Sequence, residues 1–327
     1  MLLTAFPHLC ACMHTERKPD LSVIIPTVGR GEILQRTLDA LFKAISGYAI
    51  QVILVDDTRE GQLGPYDFPM EILQSGGIGA SGARNLGWRH AKSDLLLFLD
   101  DDIVIEAAHI RRTLELHQLP SANAYNFFWV YPPELMEELP KSKFGKYALD
   151  HQLYSNAHRL AYRSAPADGL VIENGLTSQY FSIEKRWIEK VNGYDSIPFA
   201  GIEDLLLYKK LKAVGVLVFL SHKDIVHQNE SNRLNISSLV RRYRTGALTR
   251  RIAAVHMGHA EMGVQFGKGD QFKASCGFLL LPASRVITYV LPYGVLYQKA
   301  VNYQLFMGTY KGYYKDKLPR DFSERFK

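Results

Sequence analysis

Residues 76–102 read GGIGASGARNLGWRHAKSDLLLFLDDD. The stretch passes from a glycine-rich turn (Gly76, Gly77, Gly79 and Gly82) through a helix-forming segment at 80–91 to five consecutive apolar residues at 95–99, and then to three aspartates. An apolar run without alternation predicts a strand covered on both faces, and a helix feeding such a strand predicts a mostly parallel sheet with right-handed crossovers. The same pattern occurs on the N-terminal side. Residues 21–26 (LSVIIP), 50–55 (IQVILV) and 70–73 read as strands, and Leu34, Leu38, Leu41, Phe42 and Ile45 form one stripe of a helix over 33–45. The fold class predicted is therefore α/β and Rossmann-like, a mostly parallel sheet with flanking helices.

Sheets of this kind bind ligands beyond the carboxyl ends of their strands. Those ends carry Thr27 and Arg30, then Asp56 and Asp57, then Asp100, Asp101 and Asp102. Three adjacent carboxylates repel one another unless a cation sits among them. In an extended segment alternate side chains share a face, so Asp100 and Asp102 are expected to converge on one ion while Asp101 points elsewhere. Hard oxygen ligands of this type suit Mg2+ or Mn2+. The alternative is an acidic loop at the start of the next helix, where carboxylates are favoured. Asp56 and Asp57 can accept nucleobase N–H or ribose hydroxyl groups, or can form a turn within DDTREG by bonding their own backbone. Arg84 and Asn85, at the glycine-rich start of a helix, can hold phosphate or ribose. The chain contains no GK[ST] phosphate loop.

Toward the C-terminus, residues 120–170 look irregular, with Pro132, Pro133, Pro140 and Pro166 among them. Order resumes with a strand at 179–183, a helix at 184–191 closing on Asn192 and Gly193, a helix at 203–213 ending before Gly215, and a strand at 216–220. VIIPTVGR, ILVDDT, the glycine-to-aspartate stretch and NGYDSIPFAGIEDLLLYKKLKAVG follow one another within residues 21–229. In this order of motifs the sequence resembles the family 2 glycosyltransferases, which have the GT-A fold. The resemblance implies an inverting transfer of sugar from a nucleotide diphosphate sugar, with a UDP-sugar as the default donor and a saccharide or polyprenol-linked acceptor. It puts Asp100, Asp101 and Asp102 at the donor diphosphate and its metal, Asp56 and Asp57 at the nucleoside, and Thr27 and Arg30 at the mouth of the same pocket. It makes Asp204, with Glu203 beside it, the acceptor-side base, and His227 in IVHQNES a further metal ligand. Read alone, His227 is as well a surface or core histidine, and Glu203-Asp204 ordinary N-terminal charge on a helix. Direct displacement at an anomeric carbon needs a base for the acceptor proton and a counter-charge for the departing diphosphate, and these groups can supply both. The rival functions are a nucleotidyltransferase and a non-catalytic nucleotide-sugar-binding protein.

Hydrophobic residues make up 47% and charged residues 22% of the 327, a balance that excludes a disordered or fibrous chain. Cys10, Cys12 and Cys276 cannot build a disulfide framework, so a reducing, cytoplasmic setting is expected. Charge is uneven: residues 1–231 carry 23 Lys/Arg against 28 Asp/Glu, and residues 232–327 carry 16 against 5, a formal +11. Such a field attracts anionic lipid, nucleic acid or phosphorylated substrates. No motif for reading nucleic acid accompanies it, and no nucleic-acid partner is expected. Five arginines fall within 241–251, where processive members of the family usually carry QxxRW; RRYRT at 241–245 lacks its Gln and Trp, and transfer of a single sugar is expected. Residues 276–297, CGFLLLPASRVITYVLPYGVLY, hold one charge, Arg285, and reach the length of about 20 that a bilayer span needs. Pro282, Pro292 and Arg285 favour a broken helix in the headgroup interface, with a buried hairpin as the alternative. The expected organisation is a loose tail at 1–20, within which Met13 is a second candidate start, and a GT-A catalytic domain at 21–231. Its nucleotide-binding half is about 21–130 and its acceptor half about 131–231. A basic, partly apolar helical appendage follows at 232–327, suited to peripheral contact at the inner face of the plasma membrane.

Overall fold

The structure, a computed structural model, describes residues 17–61, 63–118, 122–153, 169–197, 201–228 and 234–317, with the side chains of 222 and 223 excepted. Most of the N-terminal tail, Met13 included, lies outside the described residues. Strands β1 (Leu21–Thr27), β2 (Ile50–Asp56), β3 (Glu71–Gln74) and β4 (Leu95–Leu99) run parallel, with Thr27 level with Asp56 at their carboxyl ends. Helix α1 (Glu32–Ala44) connects β1 to β2, and α2 (Ala80–His90) connects β3 to β4.

Both faces of the sheet are buried because alternate residues feed two cores. Leu21, Val23 and Ile25 pack with Leu34, Leu38 and Leu41 of α1, while Ile24 joins Ile53, Val55 and Phe98 with Ala83 and Trp88 of α2. Gly87 lets α2 lie directly on β1, since a Cβ there would collide with Ile24. The two helices thus cover opposite faces, and a crevice opens beyond β1 and β4 where the connections diverge.

The chain continues through β5 (Ile103–Val104), α3 (Ala107–Leu116), β6 (Asn123–Val130), α4 (Pro133–Glu138), α5 (Lys143–Asp150), β7 (Leu170–Glu173), β8 (Tyr180–Glu184), α6 (Lys185–Lys190), α7 (Glu203–Ala213) and β9 (Leu217–His227). The sheet order is β3-β2-β1-β4-β8-β6-β9-β5, with β7 also paired to β9. β8 is antiparallel to both β4 and β6, so its first residue, Tyr180, lies opposite Leu99, the last of β4.

Two expectations are corrected here. The segment read as irregular contains β6, whose eight residues pair with both β8 and β9. Asn126 sits in its middle because its buried amide donates to the carbonyls of Thr177 and Tyr180 at 2.7 and 2.8 Å, so the polar group is satisfied. The last strand runs on to His227 rather than stopping at 220, because β5 and β6 provide ladder partners for its polar second half.

Four further helices follow: α8 (Ile236–His256), α9 (Lys268–Ser275), α10 (Gly277–Val290) and α11 (Val295–Tyr314). Among the described residues no helix is long and apolar enough to cross a membrane. The apolar stretch at 276–297 is broken around Pro292, and the 14 residues of α10 extend only about 21 Å at roughly 1.5 Å per residue, short of a hydrocarbon core of about 30 Å. Nor is it a buried hairpin, since Phe278 and Tyr289 are 76% and 86% exposed. α11 packs closely along α8 through Gly308 and Gly312, where added Cβ atoms would meet the carbonyls of Val240 and Arg244.

Candidate active site

At the carboxyl edge of the sheet a cavity of about 190 Å³ is lined by Thr27, Arg30, Asp57, Arg84, Asp100, Asp101 and Glu203, with Pro26, Val28 and Ala80 between them. Seven of the residues singled out from sequence therefore meet in one place. They arrive from five places: the ends of β1, β2 and β4, and the N-terminal halves of α2 and α7.

Arg84 is buried and donates to Asp100 Oδ1 at 2.7 Å, with Glu203 Oε1 at 3.9 Å and the Tyr194 ring centre at 5.6 Å. Burial opposes its charge, but the negative groups around it, Asp100 foremost, more than offset that and hold its pKa above the ordinary value. Arg30 faces the other two aspartates, donating to Asp102 Oδ2 and lying 3.3 Å from Asp101 Oδ1. Burial pushes Asp101 up to about 6 against the pull of Arg30 and the Thr27 hydroxyl, which donates to it at 2.6 Å. Burial also acts to raise Asp102, but His227 and Arg30 overcome it and its pKa falls below the usual range. The acidic turn is fixed from behind: Thr37 Oγ1 donates to the Asp101 carbonyl at 2.9 Å, and the Gln228 N–H to the Asp102 carbonyl at 2.8 Å.

The three aspartates do not share faces as an extended segment would impose. The Ile103 N–H donates to the Asp100 carbonyl at 3.3 Å, making residues 100–103 a turn, so Asp100 swings to Arg84 while Asp101 and Asp102 both meet Arg30. Among the described residues no group of three or more His, Cys, Asp and Glu is arranged as a metal cluster. In kind the donor set suits a hard divalent cation, and two of its members are in contact: His227 Nε2 lies 3.3 Å from Asp102 Oδ2. His227 stands edge-on to Trp129, ring centres 4.8 Å apart, and reaches this position because β9 continues past residue 220.

Several buried polar atoms have no hydrogen-bond partner among the described residues: Nε and Nη1 of Arg84, Nε of Arg30 and Oδ2 of Asp56. An unmet buried group costs about 1–3 kcal/mol, so the unmet N–H groups of the two cavity-lining arginines favour a ligand that supplies acceptors.

Asp56 and Asn85 lie outside the cavity lining. Asp56 is fully buried and its Oδ1 accepts from the Thr58 N–H at 2.9 Å, the turn geometry that the sequence left open. Asp57 does line the cavity, held by the Ser75 hydroxyl at 2.6 Å and the Gly79 N–H at 2.9 Å. Gly77, Gly79 and Gly82 have the G-x-G-x-x-G spacing of dinucleotide turns, yet here the Gly79 amide is committed to Asp57. Asn85 follows Arg84 by about 100° around the helix and faces away. Its side chain bonds both the N–H and the carbonyl of Tyr194, at 2.9 and 2.8 Å, against Gly193, whose φ of 64° and missing Cβ make room for it.

Asp204 lies outside the cavity lining and is more open than the buried Glu203 beside it. Its Oδ2 accepts from the Ser178 N–H at 3.0 Å and its Oδ1 from the Ser178 hydroxyl, which also meets the Tyr194 hydroxyl at 2.7 Å. Dense packing raises its pKa to about 6, with Glu203 adding to the rise and Arg84 opposing it. Glu203 accepts from the Gly201 N–H at 2.5 Å. Ser178 and Tyr194 were missed from sequence. The strand at 179–183 was evident but its direction was not, and only the antiparallel course of β8 brings residues 178 and 179 beside Asp100, whose N–H donates to the Gln179 carbonyl at 3.1 Å.

The glycosyl transferase family 2 model matches residues 22–165. Residues 22–165 form a glycosyl transferase family 2 domain. Over 122 residues it is 31% identical to an uncharacterized glycosyltransferase of Haemophilus influenzae, covering 36% of this chain and 40% of the relative. Over 91 residues it is 36% identical to the hyaluronan synthase of Pasteurella multocida, 25% of this chain and 9% of the synthase. It is also 30% identical over 116 residues to the validoxylamine A glucosyltransferase of Streptomyces hygroscopicus subsp. jinggangensis, 33% of this chain and 28% of that enzyme. The matches thus span well under half of each relative. The fold is similar to the mannosyltransferase PcManGT of Pyrobaculum calidifontis, solved with GDP-Man and Mn2+, at a TM-score of 0.53 and 13% identity over 92% of this chain and 89% of that one. It is also similar to GalNAc-T7, solved with UDP, GalNAc and Mn2+, at a TM-score of 0.51 and 14% identity over 95% and 58%. The chain has the mostly parallel, helix-flanked sheet of these GT-A neighbours, with additional C-terminal helices.

Proposed function

We propose that the protein is an inverting, divalent-metal-dependent glycosyltransferase that moves one sugar from a nucleotide diphosphate sugar, a UDP-sugar by default, to a saccharide or polyprenol-linked acceptor. The observation that carries this reading is the meeting of Arg30, Arg84, Asp57, Asp100, Asp101 and Glu203 on one cavity at the carboxyl edge of the sheet. Unpaired N–H groups of Arg84 and Arg30 suit the oxygens of a donor diphosphate, and Asp57 on the cavity wall suits the nucleoside. Asp102 and His227, which are already in contact, would hold Mn2+ or Mg2+, which when bound supplies counter-charge to the diphosphate leaving group.

The acceptor proton goes to Asp204. Ser178 engages both of its oxygens, and a pKa near 6 leaves it ionised at neutral pH yet more basic than an ordinary aspartate. As the acceptor hydroxyl gives up its proton, its oxygen bonds to the anomeric carbon on the side opposite the departing diphosphate, and the configuration inverts. Glu203 holds Arg84 from the second side. In this reading residues 21–130 serve the nucleotide, 131–231 the acceptor, and 232–327 contact a membrane at its cytoplasmic face. Likeness to a hyaluronan synthase supports a role in cell-surface polysaccharide or glycolipid synthesis.

The test is a melting screen of nucleotide sugars with Mn2+ present, followed by product analysis with the stabilising donor. The expected result is one donor class that raises the melting temperature, release of nucleoside diphosphate, and transfer abolished by a chelator. Release of pyrophosphate would indicate a nucleotidyltransferase, and stabilisation without turnover a binding protein. Undiminished transfer in chelator would remove the metal.

A further inference from the structure

We propose that the cleft between α8 and α10 binds the phosphate of an anionic phospholipid headgroup while α10 lies along the membrane surface. The proposal rests on the membrane contact put forward above and gives it a place and a ligand. The cleft, about 560 Å³, takes Ser237, Arg241 and Arg244 from α8 and Arg285, Thr288 and Tyr289 from α10. Arg244 is committed to Asp316, which accepts from its Nε at 2.7 Å and from a second N–H. Arg241 and Arg285 make no side-chain hydrogen bond or ion pair among the described residues. Two such guanidinium groups, brought to one cleft by the packing of separate helices, repel each other until an anion lies between them. Their planar forks match the oxygens of a phosphate. No acidic residue occurs between Gln271 and Lys315 to compete for them.

The surface beside the cleft selects a lipid over a soluble anion. Phe278, Leu279, Val286, Tyr289 and Val290 are each at least 60% exposed. At 3.6 residues per turn they fall on one face of α10, with Arg285 at its edge. Val295 and Leu296, equally exposed, extend the face beyond the break at Pro292. An apolar helix face bordered by cations is the arrangement that seats a helix at the boundary between headgroups and acyl chains. The face is also held ready. Lys143 of α5 donates to the carbonyls of Thr288, Tyr289 and Leu291 at 2.9, 2.8 and 3.0 Å, capping the end of α10 and tying it to the rest of the molecule.

The experiment is co-sedimentation of the full-length protein with vesicles of phosphatidylcholine alone or mixed with phosphatidylglycerol. It compares R241Q/R285Q with R242Q/R250Q, which removes the same charge from other faces of α8. The expected result is tighter binding of the parent protein to the anionic vesicles, a loss of roughly tenfold or more in R241Q/R285Q relative to R242Q/R250Q, and loss of binding in V286D/V290D at an unchanged melting temperature. Equal losses in the two arginine pairs would overturn the phosphate site and leave the membrane contact standing as diffuse attraction. Failure of the parent protein to bind either vesicle would remove the membrane contact itself. Stabilisation by inorganic phosphate that R241Q/R285Q abolishes, without vesicle binding, would make the cleft a site for soluble phosphate and overturn the lipid.

Discussion

The crevice at the end of the parallel sheet and the helical layer at the C-terminus invert the usual partition of residues in opposite senses. The crevice buries charge: Arg84, Asp101, Asp102 and Glu203 are each less than a tenth exposed. The helical layer leaves hydrocarbon in water along α10. Isolated exposed apolar residues are ordinary, but buried charges and contiguous apolar faces are not. Each region is incomplete in a different currency. The crevice has polar atoms awaiting partners, whereas the helical layer has apolar area awaiting cover.

Substitutions in the two regions should therefore act differently, and the contrast can be broken. The largest effect is expected at Arg84. Arg84→Leu leaves Asp100 and Glu203 facing each other without a cation, and a loss of about 3–5 kcal/mol in chemical denaturation is expected. Adding Asp100→Asn should recover part of it. A loss below about 1 kcal/mol would mean that the crevice is wet enough to screen its own charges.

Asp204→Asn should reduce transfer by roughly 10²–10⁴-fold, measured with the stabilising donor, without lowering the melting temperature. The sign follows from its pKa of about 6, above the ordinary aspartate value. Between those two values the folded chain holds a proton that the unfolded chain has released. The stability contribution is thus present at low pH and is lost as pH rises through about 6, and Asp101 acts in the same sense. Activity should move the opposite way, rising with pH through about 6 as Asp204 ionises. An activity profile flat across that range would exclude Asp204 as the base.

In the helical layer, Gly312→Val forces a side chain against the Arg244 carbonyl and should cost about 1–3 kcal/mol. Limited proteolysis should then open residues 234–317 before the sheet. The smallest effect is expected on the open face of α10, where Val286→Asp should change stability by no more than about 0.5 kcal/mol. A large loss there would show that the face is covered in solution, by a second copy or by the chain itself.

The parallel half was legible because its signals are local. The apolar runs of β1, β2 and β4 are continuous, the α1 stripe is complete, and Thr27, Asp57, Arg84 and Asp100 follow them at strand ends and helix starts where a parallel sheet must gather them. β6 was not legible, because NAYNFFWV carries Asn126 at its centre, whose burial is tolerable only once the Thr177 and Tyr180 carbonyls are beside it. Asn85 turns to Tyr194 and not to the crevice, a placement hidden from the sequence because spacing along a helix gives the angle between neighbours but not which of them faces the crevice.

The sequence by itself thus determined the helix-flanked parallel sheet, the acidic strand ends and the basic C-terminal third, all properties of short-range pattern and composition. Only the tertiary structure decided which charge meets which. The turn at 100–103 divides the aspartates between Arg84 and Arg30, the reversed course of β8 delivers Ser178 to Asp204, and the break at Pro292 leaves the face of α10 open. These pairings depend on strand direction, on turn geometry and on contacts between residues far apart in the chain, and no local pattern encodes them.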